Sequence, residues 1–219
     1  DFYNGDGSSA EMCGNGGRCV ARYAYEKNIA RKKMSFETTA GIIKAEVKGS
    51  IVNIKLTAPT NLQRNLDITL NDKDFRVDCL NTGVPHAIVY TQDIMNEDVC
   101  GVGREIRSHS RFSPAGTNVD FVQKQGESEL RVRTYERGVE DETLACGTGV
   151  VASSLLANLA GMVQPPVRVQ TQSGEVLTVD FQAFDLPDII HHTQFASLEN
   201  LFFNRLRRSN ASFAGRPVS

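Results

Sequence analysis

The chain is as informative in what it lacks as in what it holds. None of its apolar runs reaches the roughly twenty residues that a membrane-crossing helix needs, and no basic-then-apolar leader opens it. Lys plus Arg number 24 against 26 Asp plus Glu. That balance gives no reason to expect nucleic acid or an anionic membrane as partner and leaves a small polar molecule as the natural ligand. There is no Cys-x-x-Cys pair and no clustered His and Cys spacing, so the usual metal-site pattern is missing. The five cysteines (Cys13, Cys19, Cys79, Cys100 and Cys146) are odd in number and lack the dense spacing of a disulfide framework. They read as reduced thiols and point to the cytoplasm. No lysine stands in a recognisable pyridoxal phosphate setting.

What is present is a repeat. Cys13-Gly14-Asn15-Gly16 returns as Cys146-Gly147-Thr148-Gly149, 133 residues later. Thr38 and Gly41 follow the first cysteine by 25 and 28 residues, and Thr171 and Gly174 follow the second by the same intervals. A repeated cysteine, glycine turn, helix and Thr-x-x-Gly hairpin describe two pseudo-symmetric halves, each presenting a thiol at a helix start.

The pattern between these landmarks supports an α/β (α+β) chain. Val20, Tyr23 and Ala24 have helical spacing directly after the first glycine turn. Residues 34–38, 42–47 and 50–56 alternate apolar with polar around glycines, as a small antiparallel meander does. Ala58-Pro59-Thr60 breaks that pattern and divides residues 1–58 from 59–181. The second part opens with a polar stretch. Strands are expected over 75–80, 87–90, 119–122, 130–135, 167–171 and 176–181, with helix and loop over 91–117. The run after Cys146 (Val150, Val151, Ala152, Leu155, Leu156, Leu159) is apolar nearly all round and predicts a buried helix, with Gly161 as its stop. Residues 182–219, including His191-His192, show no third copy of any of these features.

A helix start offers unpaired backbone N–H groups and a partial positive charge, which favour a thiolate or a bound carboxylate. Glycines there let the backbone approach a ligand closely. A thiol with an ordinary pKa of about 8.5 could thus act as a base near neutral pH. Two thiols facing one carbon could remove a proton from one side and return one from the other, inverting the centre. Cys19, Cys79 and Cys100 lack the glycine setting and read as packing residues.

The segment from Asn4 through Gly5-Asp6-Gly7-Ser8-Ser9-Ala10-Glu11-Met12-Cys13-Gly14-Asn15-Gly16-Gly17-Arg18-Cys19 and the segment Glu136-Arg137-Gly138-Val139-Glu140-Asp141-Glu142-Thr143-Leu144-Ala145-Cys146-Gly147-Thr148-Gly149 resemble the two signature motifs of the diaminopimelate epimerases. The resemblance implies two pseudo-symmetric halves, each a curved mixed or antiparallel sheet wrapped around a central helix, in a cofactor-independent homodimer that interconverts LL- and meso-diaminopimelate for lysine and cell-wall synthesis. It implies that Cys146 takes the α-proton and Cys13 supplies one in the LL-to-meso direction, with His86 and Glu136 supporting the reacting centre. It further implies that Asn4, Asn15, Asn118, Glu136 and Arg137, with the backbones of Gly14, Gly147 and Thr148, hold the substrate. A proline or hydroxyproline racemase is a second reading, but that group usually carries histidine where Asn15 stands. A non-catalytic remnant that kept its site residues is a third.

Three departures accompany the resemblance. The family's opening strand and Gly-Asn-Asp-Phe segment do not precede Asp1, its closing strand is replaced by residues 182–219, and Val84 stands where many members have asparagine. The expectation is a truncated member with a divergent tail and weak or no activity alone.

Overall fold

The computed structural model describes residues 1–3, 7, 9–71 and 73–181. Two short strands, β1 (Phe2–Tyr3) and β2 (Ser9–Ala10), pair antiparallel and lead to helix α1 (Gly14–Glu26). The meander follows as β3 (Lys33–Thr38), β4 (Gly41–Lys48) and β5 (Ile51–Lys55), a three-stranded antiparallel sheet with β4 in the middle. Period-two alternation sends Ile43, Ala45, Val47, Val52 and Ile54 to one face, where they are buried. Helix α1 packs on β4 and β5 and contributes Ala21 to the same core. The turn between β3 and β4 needs Gly41, whose φ is 114°, and Thr38 Oγ1 closes it by donating to Gly41 O at 2.8 Å.

The remaining strands are β6 (Thr60–Leu70), β7 (Lys73–Asn81), β8 (Pro85–Tyr90), β9 (Asn118–Gly126), β10 (Glu129–Glu136), β11 (Asp141–Thr143), β12 (Val167–Gln170) and β13 (Val176–Val179). They form one mixed sheet in the order β13-β12-β10-β9-β8-β7-β6, with β11 pairing β10 beside it. The β8–β9 and β10–β12 pairs are parallel and the others antiparallel. Helix α3 (Gly147–Leu159) lies across one face, touching β7, β8, β9, β10, β12 and β13; helix α2 (Val99–Arg107) packs beside β9 and β10. The fold is thus α+β with two helix-centred sheets, as the repeat predicts, though three strands surround α1 and eight serve α3.

Strand parity separates two cores. Ile88, Val122, Leu130 and Val132 join the apolar side chains of α3, while Ala87, Val89, Val119, Phe121 and Tyr135 form a second cluster with Val99 and Ile106 of α2. His86, Asn118, Asp120, Thr134 and Glu136 share the parity of the α3 side. The registers His86 opposite Asn118 and Thr134 opposite Asp120 gather them at one end of the sheet. The face beneath α3 is therefore apolar along most of its length and polar where that helix begins.

Most of α3 is buried, from Gly147 through Ala157, as its all-round apolar sequence predicts, and Gly161 follows it at φ 70°. The polar stretch after the break is not a loop but an eleven-residue strand, β6. Leu62, Leu66, Ile68 and Leu70 supply its alternation. Asn61 and Asn65, both at φ 55°, interrupt it with two register shifts. Asp78 holds the second irregularity by accepting from Asn65 N at 2.8 Å. Among the described residues no helix is long and apolar enough to cross a membrane.

Candidate active site

Both repeated cysteines sit immediately before a helix, in extended backbone: Cys13 at φ −129°, ψ 116° before α1, and Cys146 at φ −111°, ψ 108° before α3. That conformation turns each side chain across the opening turn. Cys13 Sγ accepts from Gly16 N at 3.3 Å. The two helix starts meet: a Cβ on Gly14 would lie 3.4 Å from Gly147 Cα and 3.6 Å from Thr148 N. A methyl group at Gly14 would just touch this junction. Asn15 braces it, its Nδ2 donating to Ala145 O at 3.1 Å while its Oδ1 accepts from the buried Arg18.

The two thiols open into one cavity of about 490 Å³. Its wall includes Glu11, Cys13, Gly14 and Asn15 from the first half, and Asn118, Glu136, Arg137, Cys146, Gly147 and Thr148 from the second. Two positive helix ends and their free N–H groups therefore face a common space, a setting that stabilises an anion. Asn118 Nδ2 donates to Pro85 O at 2.9 Å and its Oδ1 accepts from Arg137 N at 2.9 Å, which fixes the backbone where β10 leaves the sheet. Arg137 reaches across the cavity to Glu11, with Nη2 3.0 Å from Oε2.

His86 does not line this cavity. It lies behind the wall, 1% exposed, with Nδ1 2.7 Å from Asp120 Oδ2 and Nε2 3.0 Å from Thr148 Oγ1. Thr148 Oγ1 is in turn 3.4 Å from Cys146 Sγ. Burial pushes the Cys146 thiol well above the ordinary thiol value near 9, and the carboxylates of Glu136 and Asp120 act in the same direction. Glu136 is itself raised, chiefly by burial, with Asp120 adding to the rise and His86 opposing it.

Of the residues singled out in the sequence, Cys13, Gly14, Asn15, Asn118, Glu136, Arg137, Gly147, Thr148 and Cys146 converge on the cavity. His86 reaches it only through Thr148, and Asn4 lies outside the described residues. Val84 is part of the wall and adds an apolar side chain to it. Sequence reasoning passed over Asp120, Thr134 and Glu11. The signal for Asp120 was an acid inside the apolar run 119–122, two residues from Asn118 and hence on its face.

A protein-family model described as diaminopimelate epimerase matches residues 1–59 and 79–185. The diaminopimelate epimerase of Aquifex aeolicus is 50% identical over 192 residues, covering 86% of this chain and 68% of that protein. That of Hydrogenobaculum sp. is 48% identical over 185 residues, covering 83% and 67%. The chain thus spans about two thirds of the length of these curated relatives. Among solved structures, a hydroxyproline epimerase from Agrobacterium vitis superposes with a TM-score of 0.64 at 19% identity, covering 87% of this chain and 64% of that one. A probable proline racemase from Agrobacterium radiobacter K84 gives 0.68 at 16% identity, with the same coverage. These two share the fold alone, whereas the family match embraces both cysteine motifs. With two cysteine-led helices abutting at one cavity, and with half of all aligned residues shared with a curated relative, the chain belongs to the diaminopimelate epimerase family.

Proposed function

We propose that this chain interconverts LL- and meso-diaminopimelate by proton transfer between its two thiols, with no cofactor. Cys146 takes the α-proton and Cys13 returns one from the opposite side. The observation that carries this reading is the convergence of two cysteine-capped helix starts on one cavity, with Gly14 packed against Gly147. The α-hydrogen of an amino acid is very weakly acidic. The free N–H groups at the two helix starts supply the stabilisation that an electron-sink cofactor would otherwise give to the developing charge. Glu136 and His86 support the reacting centre, while Asn4, Asn15, Asn118 and Arg137 belong to the substrate-holding set.

Arg137 favours diaminopimelate over proline or hydroxyproline. One carboxylate is satisfied by the helix starts, so a guanidinium elsewhere on the wall suits a substrate with a second carboxylate. A division at residues 58/59, a homodimer and a cytoplasmic setting in lysine and peptidoglycan synthesis complete the proposal.

The test is isotopic, because deuterium uptake at the α-carbon reports proton abstraction directly. LL-diaminopimelate is incubated in deuterium oxide with the protein, and deuterium at the α-carbon is followed by mass spectrometry. Incorporation is expected in the wild type and is expected to vanish in Cys13→Ala/Cys146→Ala. Incorporation no faster than in buffer would favour the remnant reading, and exchange of proline but not diaminopimelate would favour the racemase.

A further inference from the structure

A line of hydrogen-bonding groups runs from the buried sheet to the Cys146 thiol, and its polarity can be worked out group by group. Thr134 Oγ1 donates to Asp120 Oδ1 at 2.7 Å. The other carboxylate oxygen of Asp120 is 2.7 Å from His86 Nδ1. An ionised carboxylate only accepts, so Nδ1 carries the proton and Nε2 of the neutral ring is an acceptor. Thr148 Oγ1, 3.0 Å from Nε2, then donates to it and keeps a lone pair for the thiol hydrogen of Cys146 at 3.4 Å. Each of these side chains is buried: Asp120 is 0% exposed, Thr134 3%, His86 1% and Thr148 3%.

We propose that Thr148 carries the proton between the Cys146 thiol and His86, and that Asp120, held by Thr134, is the positioning residue that sets the imidazole to receive it. The inference rests on the reading of Cys146 as the group that takes the α-proton. In the step, the thiol hydrogen passes to Thr148 Oγ1 as the threonine's own hydrogen passes to His86 Nε2. One S–H bond breaks and one N–H bond forms, Thr148 is regenerated, and the products are a thiolate and an imidazolium whose Nδ1–H still faces Asp120. No other reactant is needed.

The arrangement answers a difficulty that the helix start alone does not. Burial and the neighbouring carboxylates push the thiol upward, so simple loss of its proton to solvent leaves little thiolate at neutral pH. Moving the proton two groups away leaves a positive ring beside the negative sulfur and beside Asp120. The titratable groups around the line are His86 from β8, Asp120 from β9 and Glu136 from β10, with Cys13 ahead of α1 on the same cavity. Gly149 makes room for the acid, since a Cβ there would lie 2.2 Å from Asp120 Oδ1. Among the described residues Cys13 has no such line: its sulfur accepts from Gly16 N. The two thiols are therefore unequal within a pseudo-symmetric frame.

The test is the pH dependence of iodoacetamide labelling, read separately at Cys146 and Cys13 by mass spectrometry of their peptides. Thr148→Val keeps the side-chain shape and removes the hydroxyl. It is expected to slow Cys146 labelling at pH 7 by about 100-fold and to move its profile to higher pH. Thr148→Ser is expected to restore both, and Asp120→Asn to produce the same shift as Thr148→Val. The Cys13 profile is expected to stay in place throughout, which shows that the folded site persists. An unchanged Cys146 profile in Thr148→Val, or a serine variant that fails to rescue, overturns the relay. Labelling needs no substrate, so a wild type that incorporates no α-deuterium would strike the epimerase reading while the labelling result still decides the relay.

Discussion

Arg137 and Glu11 join the two halves across the mouth of the cavity, with Nη2 3.0 Å from Oε2; the arginine side chain is 16% exposed and the glutamate 48%. The glutamate is anchored through its backbone, since Glu11 O accepts from Thr39 Oγ1 at 3.0 Å and from Ala40 N at 3.2 Å. A substrate carboxylate that reaches Arg137 must displace Glu11. An exposed pair of this kind contributes about 0.2–1 kcal/mol. Glu11→Gln is therefore expected to lower KM by about 1.4- to fivefold with little change in kcat, whereas Arg137→Ala raises KM. Steady-state kinetics on both variants checks this, and a higher KM in Glu11→Gln would count against it.

The packing of Gly14 on Gly147 sets the spacing of the two helix starts: a methyl group at Gly14 would sit in van der Waals contact with Gly147 Cα at 3.4 Å, leaving no room for a larger side chain. Gly14→Val is expected to hold the thiols slightly apart and to cost on the order of 100-fold in kcat, as small misplacements of reacting groups do. Circular dichroism should show the fold intact. A kcat within twofold of wild type would mean that the junction yields without moving the sulfurs.

Gly149 has a different neighbour, the buried carboxylate of Asp120. Gly149→Ala is expected to destabilise the protein by about 1–3 kcal/mol through overpacking, read as a lower urea midpoint. It should also displace Asp120 from His86. Restored stability in Gly149→Ala/Asp120→Ala would confirm that the clash is with the carboxylate rather than with the strand.

Cys79 is buried in the α2-side core, and burial, aided by the Asp78 charge, pushes its thiol up from the ordinary 9 to about 12. Because the folded value is the higher one, the folded protein keeps this proton after the unfolded chain has lost it. Stability from this site is whole below pH 9 and falls as pH rises from 9 toward 12. Urea midpoints measured from pH 8 to pH 11 are expected to fall more steeply in wild type than in Cys79→Ala. Parallel slopes would contradict the assignment. At pH 8 the folded protein should leave Cys79 unlabelled by iodoacetamide.

Local features were the legible ones. Cys-Gly-x-Gly before a helix is a short-range signal, because an extended cysteine, a small first residue and the free N–H groups of the opening turn all lie within four positions. Both copies announced themselves for that reason. The meander 33–55 was equally plain from alternation around Gly41 and Gly49. Strand β6 was hidden because Asn61, Asn65 and Asp67, residue types depleted in strands, stand among Leu62, Leu66, Ile68 and Leu70 and mask their alternation. Residues 182–219, with His191-His192, lie outside the described residues.

The amino-acid order alone determined that there are two thiols at two helix starts, and that each helix is followed by a Thr-x-x-Gly hairpin. Those are nearest-neighbour properties of the backbone. Only the tertiary structure decided that Gly14 meets Gly147, that Arg137 faces Glu11, and that Asp120 and His86 stand behind Thr148. The last of these follows from the parallel pairing that sets His86 beside Asn118 and the antiparallel pairing that sets Thr134 beside Asp120. Strand register is chosen by the burial of whole faces across residues far apart in the chain, and no local pattern encodes it.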